Sequence, residues 1–274
     1  MKNLFLIMLL FIIASCSVAD DKEVEFRRVI GGISESIYIY EDKGKQGLVD
    51  SSGNVILKAQ FDFIEDWQEY GLILVDSGGR SYEGDAVGHE FNKYGLIDAK
   101  GRVLFRPQFD DVKISDNSAL VLKDSLYGFV DNKGNWLVGP KYQFAAPFYK
   151  GTAIVKQHDK FYLINKQQEP ISTIPFDSIW EFKNDVAVIE KGEKYGFINY
   201  KGEIIAPYNY RGIGDFNWYH GLIMKEDEKW YVVDTTGAVV IEQRFDKVSV
   251  DSEQGEIFAE GIVEGKPVRV KLKN

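Results

Sequence analysis

The strongest constraint on this chain is a repeat. Six times it sets a large residue before a position that is glycine in four copies and Tyr162 or Tyr231 in the other two, then two apolar residues, then Asp or Asn. The first three copies are Gln46-Gly47-Leu48-Val49-Asp50, Tyr94-Gly95-Leu96-Ile97-Asp98 and Tyr127-Gly128-Phe129-Val130-Asp131. The other three are Phe161-Tyr162-Leu163-Ile164-Asn165, Tyr195-Gly196-Phe197-Ile198-Asn199 and Trp230-Tyr231-Val232-Val233-Asp234. Six residues past that position comes a second glycine (Gly53, Gly101, Gly134, Gly202, Gly237), replaced by Gln168 in the fourth copy. Eight residues further stands Phe61, Phe109, Tyr142, Phe176, Tyr210 or Phe245. Successive copies are offset by 48, 33, 34, 34 and 35 residues, so the chain is an array of one small unit.

Each unit reads as β structure. Asp-Ser-Ser-Gly, Asp-Asn-Lys-Gly and their counterparts are turn sequences, in which the first side chain bonds the turn backbone and the glycine takes a left-handed conformation. Short apolar runs flank them as hairpin arms, and two more short strands fit in each unit, around Phe109–Val112 and Ala119–Leu122 in one copy. No stretch sustains a helical period. The expected fold class is all-β, a seven-bladed β-propeller of ~34-residue four-stranded units. In that ring the late-repeat segment Phe26 to Ile30 and the C-terminal strands from Ile257 to Leu272 complete each other. The alternative is an open β-solenoid or hairpin array, whose ends act as caps.

The spacing resembles the bacterial WG-repeat family, with its Lys-Trp-Gly signature. Lys93-Tyr94-Gly95, Lys194-Tyr195-Gly196 and Lys229-Trp230-Tyr231 approach that signature. The pairs Phe61-Asp62, Phe109-Asp110, Phe176-Asp177 and Phe245-Asp246 agree with it downstream, and the match runs from about Lys43 to Val248. No Trp-Gly dipeptide occurs; Tyr mostly takes the place of Trp. The resemblance implies a binding scaffold and no particular chemistry.

The first residues differ in kind. Lys2 precedes ten unbroken apolar residues, Leu4 to Ile13, too short a run to span a bilayer. It reads as a signal peptide ending in Ile13-Ala14-Ser15-Cys16, which resembles a bacterial lipobox. Cys16 is the only cysteine, so no disulfide competes for it, and the resemblance makes it the lipidation site. The expected organisation is a signal peptide over 1–15, an acidic tether over 16–24 and the repeat domain over 25–274. The mature protein is then secreted and lipid-anchored in the bacterial envelope, at the outer membrane or cell surface. Losing residues 1–15 removes Lys2 alone among the charges, taking the net charge from −9 to −10. An acidic chain without a basic block argues against nucleic acid as a partner.

Candidate chemistry is sparse. His89, His158 and His220 fall at unrelated repeat positions and read as solvated loop residues, not as metal ligands or a catalytic base. Asp50, Asp98, Asp131 and Asp234 read as turn formers. No catalytic residue, metal site or cofactor is expected. An aromatic recurs six residues past the last anchor in four copies, at Trp67, Phe148, Phe182 and Phe216; Ser115 and Asp251 stand in the others. In a ring these would share one rim with Trp180 and Trp218, either plugging the gaps between units or stacking on a ligand. The Gly-rich insertion at 77–91 interrupts the period and reads as a partner-binding loop or a tolerated insertion. Its acids, with Asp76, Glu83, Asp85 and Glu90, carry oxygen donors of the kind Ca²⁺ takes, at spacings unlike an EF-hand loop. The expected function is a non-enzymatic, envelope-anchored module recognising a protein or glycan, with Trp67, Tyr82, Trp180 and Trp218 as contact residues. A glycan-processing enzyme and a purely structural envelope component are the alternatives.

Overall fold

The computed structural model describes residues 27–28, 37–78, 93–172, 174–183, 185–216, 220–225, 227–234, 236–253 and 256–272. They form seven small antiparallel sheets in chain order, with no helix among them. The first sheet holds β1 (Arg27–Arg28), β2 (Ile37–Asp42), β3 (Lys45–Asp50) and β4 (Val55–Phe61). The second holds β5 (Phe63–Glu69), β6 (Leu72–Ser77), β7 (Lys93–Asp98) and β8 (Val103–Phe109). The third holds β9 (Asp111–Ser115), β10 (Ser118–Lys123), β11 (Leu126–Asp131) and β12 (Trp136–Tyr142). The fourth is β13 (Phe144–Ala145), β14 (Thr152–Gln157) and β15 (Lys160–Asn165). The fifth is β16 (Ser178–Ile179), β17 (Val186–Lys191), β18 (Lys194–Asn199) and β19 (Ile204–Tyr210). The sixth is β20 (Gly212–Phe216), β21 (His220–Met224) and β22 (Trp230–Asp234); the seventh is β23 (Lys247–Glu253), β24 (Glu256–Val263) and β25 (Lys266–Leu272). The all-β repeat architecture is the expected one, and the number of units agrees.

The turn chemistry is the expected one too. The Asp131 carboxylate accepts from the backbone N–H groups of Lys133 and Asn135 at 2.9 and 2.8 Å, and Gly134 has φ +90°. Asp50, Asp98, Asn165, Asn199 and Asp234 do the same in their copies. Gln168, which stands where the others have glycine, still adopts φ +68°. Its side-chain amide donates to the Leu137 carbonyl of the preceding sheet at 2.7 Å, a bond that offsets part of the backbone strain.

Whether glycine stands at the second position of each copy decides whether a full fourth strand forms in the first six sheets. A Cβ on Gly47, Gly95 or Gly128 would lie 2.4, 2.5 or 2.7 Å from a carbonyl oxygen of the fourth strand. The register slips at that point, because the fourth strand folds over the bare glycine. Tyr162 and Tyr231 occupy this place in the fourth and sixth sheets. There the outer segment keeps only isolated bridges, Phe161 with Phe176 and Ile164 with Pro170, and Trp230 with Phe245 and Val233 with Val239.

Burial runs from sheet to neighbouring sheet. Six hydrophobic clusters are present among the described residues, and each is built from two successive sheets. Central strands such as β10, β14 and β17 are therefore buried on both faces over four consecutive residues. Leu48, Leu96, Phe129, Leu163, Phe197 and Val232 point forward into the next sheet, all buried.

The seventh sheet breaks this rule. Arg269 takes the place of those six residues, and its neighbours on that face are Glu256, Phe258, Glu260 and Lys271. Arg269 lies 4.0 Å from the Phe258 ring centroid and pairs with Glu253 and Glu260 at 2.6 and 2.7 Å. The opposite face, with Ile257, Ala259 and Leu272, packs on the sixth sheet. Arg27 and Arg28 pair with β2 in the first sheet, and among the described residues no strand joins β25 to the first sheet. The expected completion of one terminal unit by the other is thus absent among the described residues. A charged face cannot bury against a following sheet at the cost that an apolar face can.

Candidate functional site

The leading strands of the third, fourth and fifth sheets converge on a cavity of about 330 Å³. β9 contributes Lys113 and Ser115, the segment after β13 contributes Pro147, Phe148 and Tyr149, and the segment after β16 contributes Glu181 and Phe182. Ala146 and Ile154 close its floor. Three equivalent repeat positions meet here: Ser115, Phe148 and Phe182.

Their roles differ. Phe148 is buried, with its ring 4.6 Å from that of Phe129, so it plugs the seam between the third and fourth sheets. Ser115 donates its hydroxyl to the Phe148 carbonyl at 2.7 Å and ties the two sheets together. Phe182 is only half-buried and stacks on Tyr149, ring centroids 5.6 Å apart and planes 17° from parallel. One copy thus supplies a packing residue and the next an accessible aromatic face.

The wall behind the stack is braced. The Tyr149 hydroxyl and the Lys150 ammonium both donate to Asp185 Oδ1, at 2.8 and 2.5 Å. Lys150 holds the Asp185 carboxyl below the ordinary carboxylate range, helped by the Tyr149 hydroxyl. Burial pushes the Tyr149 hydroxyl up, and its bond to Asp185 adds to this. Lys150 also lies over the rings of Tyr149 and Tyr200, at 5.5 and 5.3 Å. Thr152 donates to the Tyr200 carbonyl at 2.6 Å, and Asp116 accepts from the Gly151 N–H at 2.7 Å. Tyr149 cannot swing away without breaking these contacts, so the aromatic face is preorganised.

Lys113 and Glu181 are different. Both are exposed on the cavity wall, and neither side chain has an ion pair or hydrogen bond with any described residue, including each other. Lys45, Lys93, Lys160 and Lys229, by contrast, each pair with an aspartate seventeen residues on, namely Asp62, Asp110, Asp177 and Asp246. Three of those carboxylates also accept a backbone N–H from the next sheet: Gly78 on Asp62, Asp124 on Asp110 and Gly192 on Asp177. In the third unit Gln143 stands in and accepts from Asp159 N–H at 3.2 Å. These lysines and aspartates fasten one sheet to the next. Sequence reasoning found both halves of the latch without joining them, although the constant separation was the signal.

Of the residues expected to make contacts, Trp180 is 46% exposed but does not line the cavity. Trp67 lies in β5, with its side chain outside the described residues; Tyr82, Trp218, Cys16 and the insertion beyond Gly78 lie outside them altogether. His158 is an exposed turn residue as expected, whereas His220 is not: it opens β21 buried at 3% exposure, paired across the strands with Asp234. Its place at the start of a central strand, covered by neighbours on both sides, overrides its loop-like surroundings in sequence.

Comparison with known proteins gives one family. The family described as "WG containing repeat" matches five times, at residues 47–80, 94–127, 127–161, 163–195 and 195–230, together more than half of the chain. No curated protein matches. Among solved structures, Hsv2 of Kluyveromyces lactis is 9% identical with a TM-score of 0.38, covering 87% of this chain and 94% of its own. BamB of Moraxella catarrhalis is 10% identical with a TM-score of 0.32, covering 87% and 82%. The WD40 β-propeller domain of Doa1 is 12% identical with a TM-score of 0.31, covering 92% and 98%. TM-scores this low leave the architecture resting on the chain's own sheets.

Proposed function

We propose, from the premise that this chain belongs to the WG-repeat family, that it is a non-enzymatic binding module held at a bacterial envelope by a lipid on Cys16, where it takes a protein or glycan partner. The observation that carries this reading is the Tyr149–Phe182 stack, an aromatic face held open at the mouth of a cavity by a braced wall. A half-exposed aromatic pair with a fixed geometry offers contact area at little cost in side-chain ordering. The non-enzymatic part is supported by how the acids near this seam are used. Asp116 and Asp185 are bound to lysines and to backbone or hydroxyl donors, and the turn aspartates cap backbone N–H groups. Glu181 is the one carboxyl among the described residues lining the cavity, whereas glycan hydrolysis by acid–base chemistry takes a pair.

A photo-crosslinking residue at position 182, compared with one at exposed Lys58, tests the site in envelope preparations. Adducts forming at 182 and not at 58 are expected; equal labelling at both positions would count against a specific site. Anchoring is tested separately. Replacing Cys16 with Ala is expected to move the protein out of the membrane fraction and abolish lipid labelling, since an acylated cysteine alone supplies the buried methylenes. Retention in membranes without lipid label would contradict it.

A further inference from the structure

The cavity carries two opposite charges that no described residue pairs. Lys113 projects from β9 on one side and Glu181 follows β16 on the other, with the half-buried Phe182, Tyr149 and Pro147 between them. They line one cavity, yet they are not paired with each other or with any described residue. Two other opposite-charge pairs in the same three sheets are joined, Lys150 to Asp185 and Lys166 to Asp116. Two unjoined charges across an apolar floor fit a ligand that carries the complementary pair at its two ends.

We infer that the cavity binds an extended peptide segment of a protein partner, in which an acidic and a basic side chain flank an apolar one. The acidic group meets Lys113, the basic group meets Glu181, and the apolar side chain lies against Phe182. This rests on the functional reading above and chooses protein over glycan within it. A neutral sugar would stack on the aromatic face and leave both charges unanswered, whereas the peptide answers all three features.

The test uses the full-length protein and fluorescently tagged, acetylated and amidated pentapeptides of the forms Glu-x-Phe-x-Lys, Lys-x-Phe-x-Glu and Gln-x-Phe-x-Gln, with binding read by anisotropy. Both charged peptides, each lying in the orientation that answers the two charges, are expected to bind roughly tenfold more tightly than the neutral peptide. Lys113→Glu or Glu181→Lys should each remove that advantage, and the double exchange should restore it. Both residues are exposed, and equal melting temperatures for all variants confirm that folding is unchanged. Charge variants without effect, equal binding of the neutral peptide, or no binding of any peptide would overturn the inference. So would binding of a neutral oligosaccharide such as chitohexaose that ignores both charge variants. Phe182→Ala separates the two readings. If it abolishes binding of a probe that is indifferent to the charges, the cavity stands as the site and the charged-peptide inference falls; if it too has no effect, both fall.

Discussion

A methyl group at position 128 would lie 2.7 Å from the Val138 carbonyl oxygen and 2.8 Å from the Pro140 nitrogen, both backbone atoms that cannot step aside alone. Gly128→Ala is therefore expected to destabilise the protein by about 1–3 kcal/mol, read as a lower denaturation midpoint. Gly139→Ala is the control, since nothing lies within 4 Å of a Cβ there, and it should leave the midpoint unchanged. Equal effects would show that loss of glycine flexibility, not contact, governs both. The Asp-x-x-Gly turns were fully legible in the sequence because every partner of the Asp side chain lies within four residues of it. The lysine–aspartate latches were legible only in halves, because the third partner belongs to the next hairpin. Their pH dependence follows from direction. Lys93, Lys160 and Lys229 lower Asp110, Asp177 and Asp246 respectively. Stability from a lowered carboxyl is present above its unfolded pKa, near ~3.9, and is lost as pH falls through the folded value. Asp177 and Asp246 raise Lys160 and Lys229 in turn, and that contribution is present below ~10.4 and lost as pH rises through the folded value. Melting temperature should therefore be flat between about pH 5 and 9 and fall on both sides. The pairs are largely solvent-exposed, so each effect is small and should shrink in high salt.

At the scale of the element, hairpins and their order could be read from the anchors, because a strand of six residues and a four-residue turn are local events. The loss of a full fourth strand in two sheets could not be read the same way. Tyr162 and Tyr231 look conservative beside the other aromatics, and their consequence depends on how closely the outer strand crosses the third. The cavity was legible in part. Its repeat positions Ser115, Phe148 and Phe182 stand out by spacing, but packing alone decides that Phe148 is covered and Phe182 accessible. Lys113 and Glu181 carry no pattern in the sequence. They matter because three sheets bring them to one wall.

Across the whole molecule, stability is a chain of interfaces between sequence neighbours, each sheet covering the forward face of the one before. Arg269, at the place held elsewhere by Leu, Phe or Val, ends that chain with a face that water can solvate. Arg269→Leu should expose an apolar patch around Phe258 and drive concentration-dependent self-association in sedimentation. A variant that stays monomeric at all concentrations would contradict the role of Arg269 as an end cap. Nearest-neighbour coupling is tested most directly by hydrogen exchange on Phe129→Ala, which hollows out the seam between the third and fourth sheets at a cost of about 3–5 kcal/mol. The expected result is loss of protection centred on residues 111–165 and fading with distance in both directions along the chain. Uniform loss across all seven sheets, or loss greatest in the first and seventh, would contradict it.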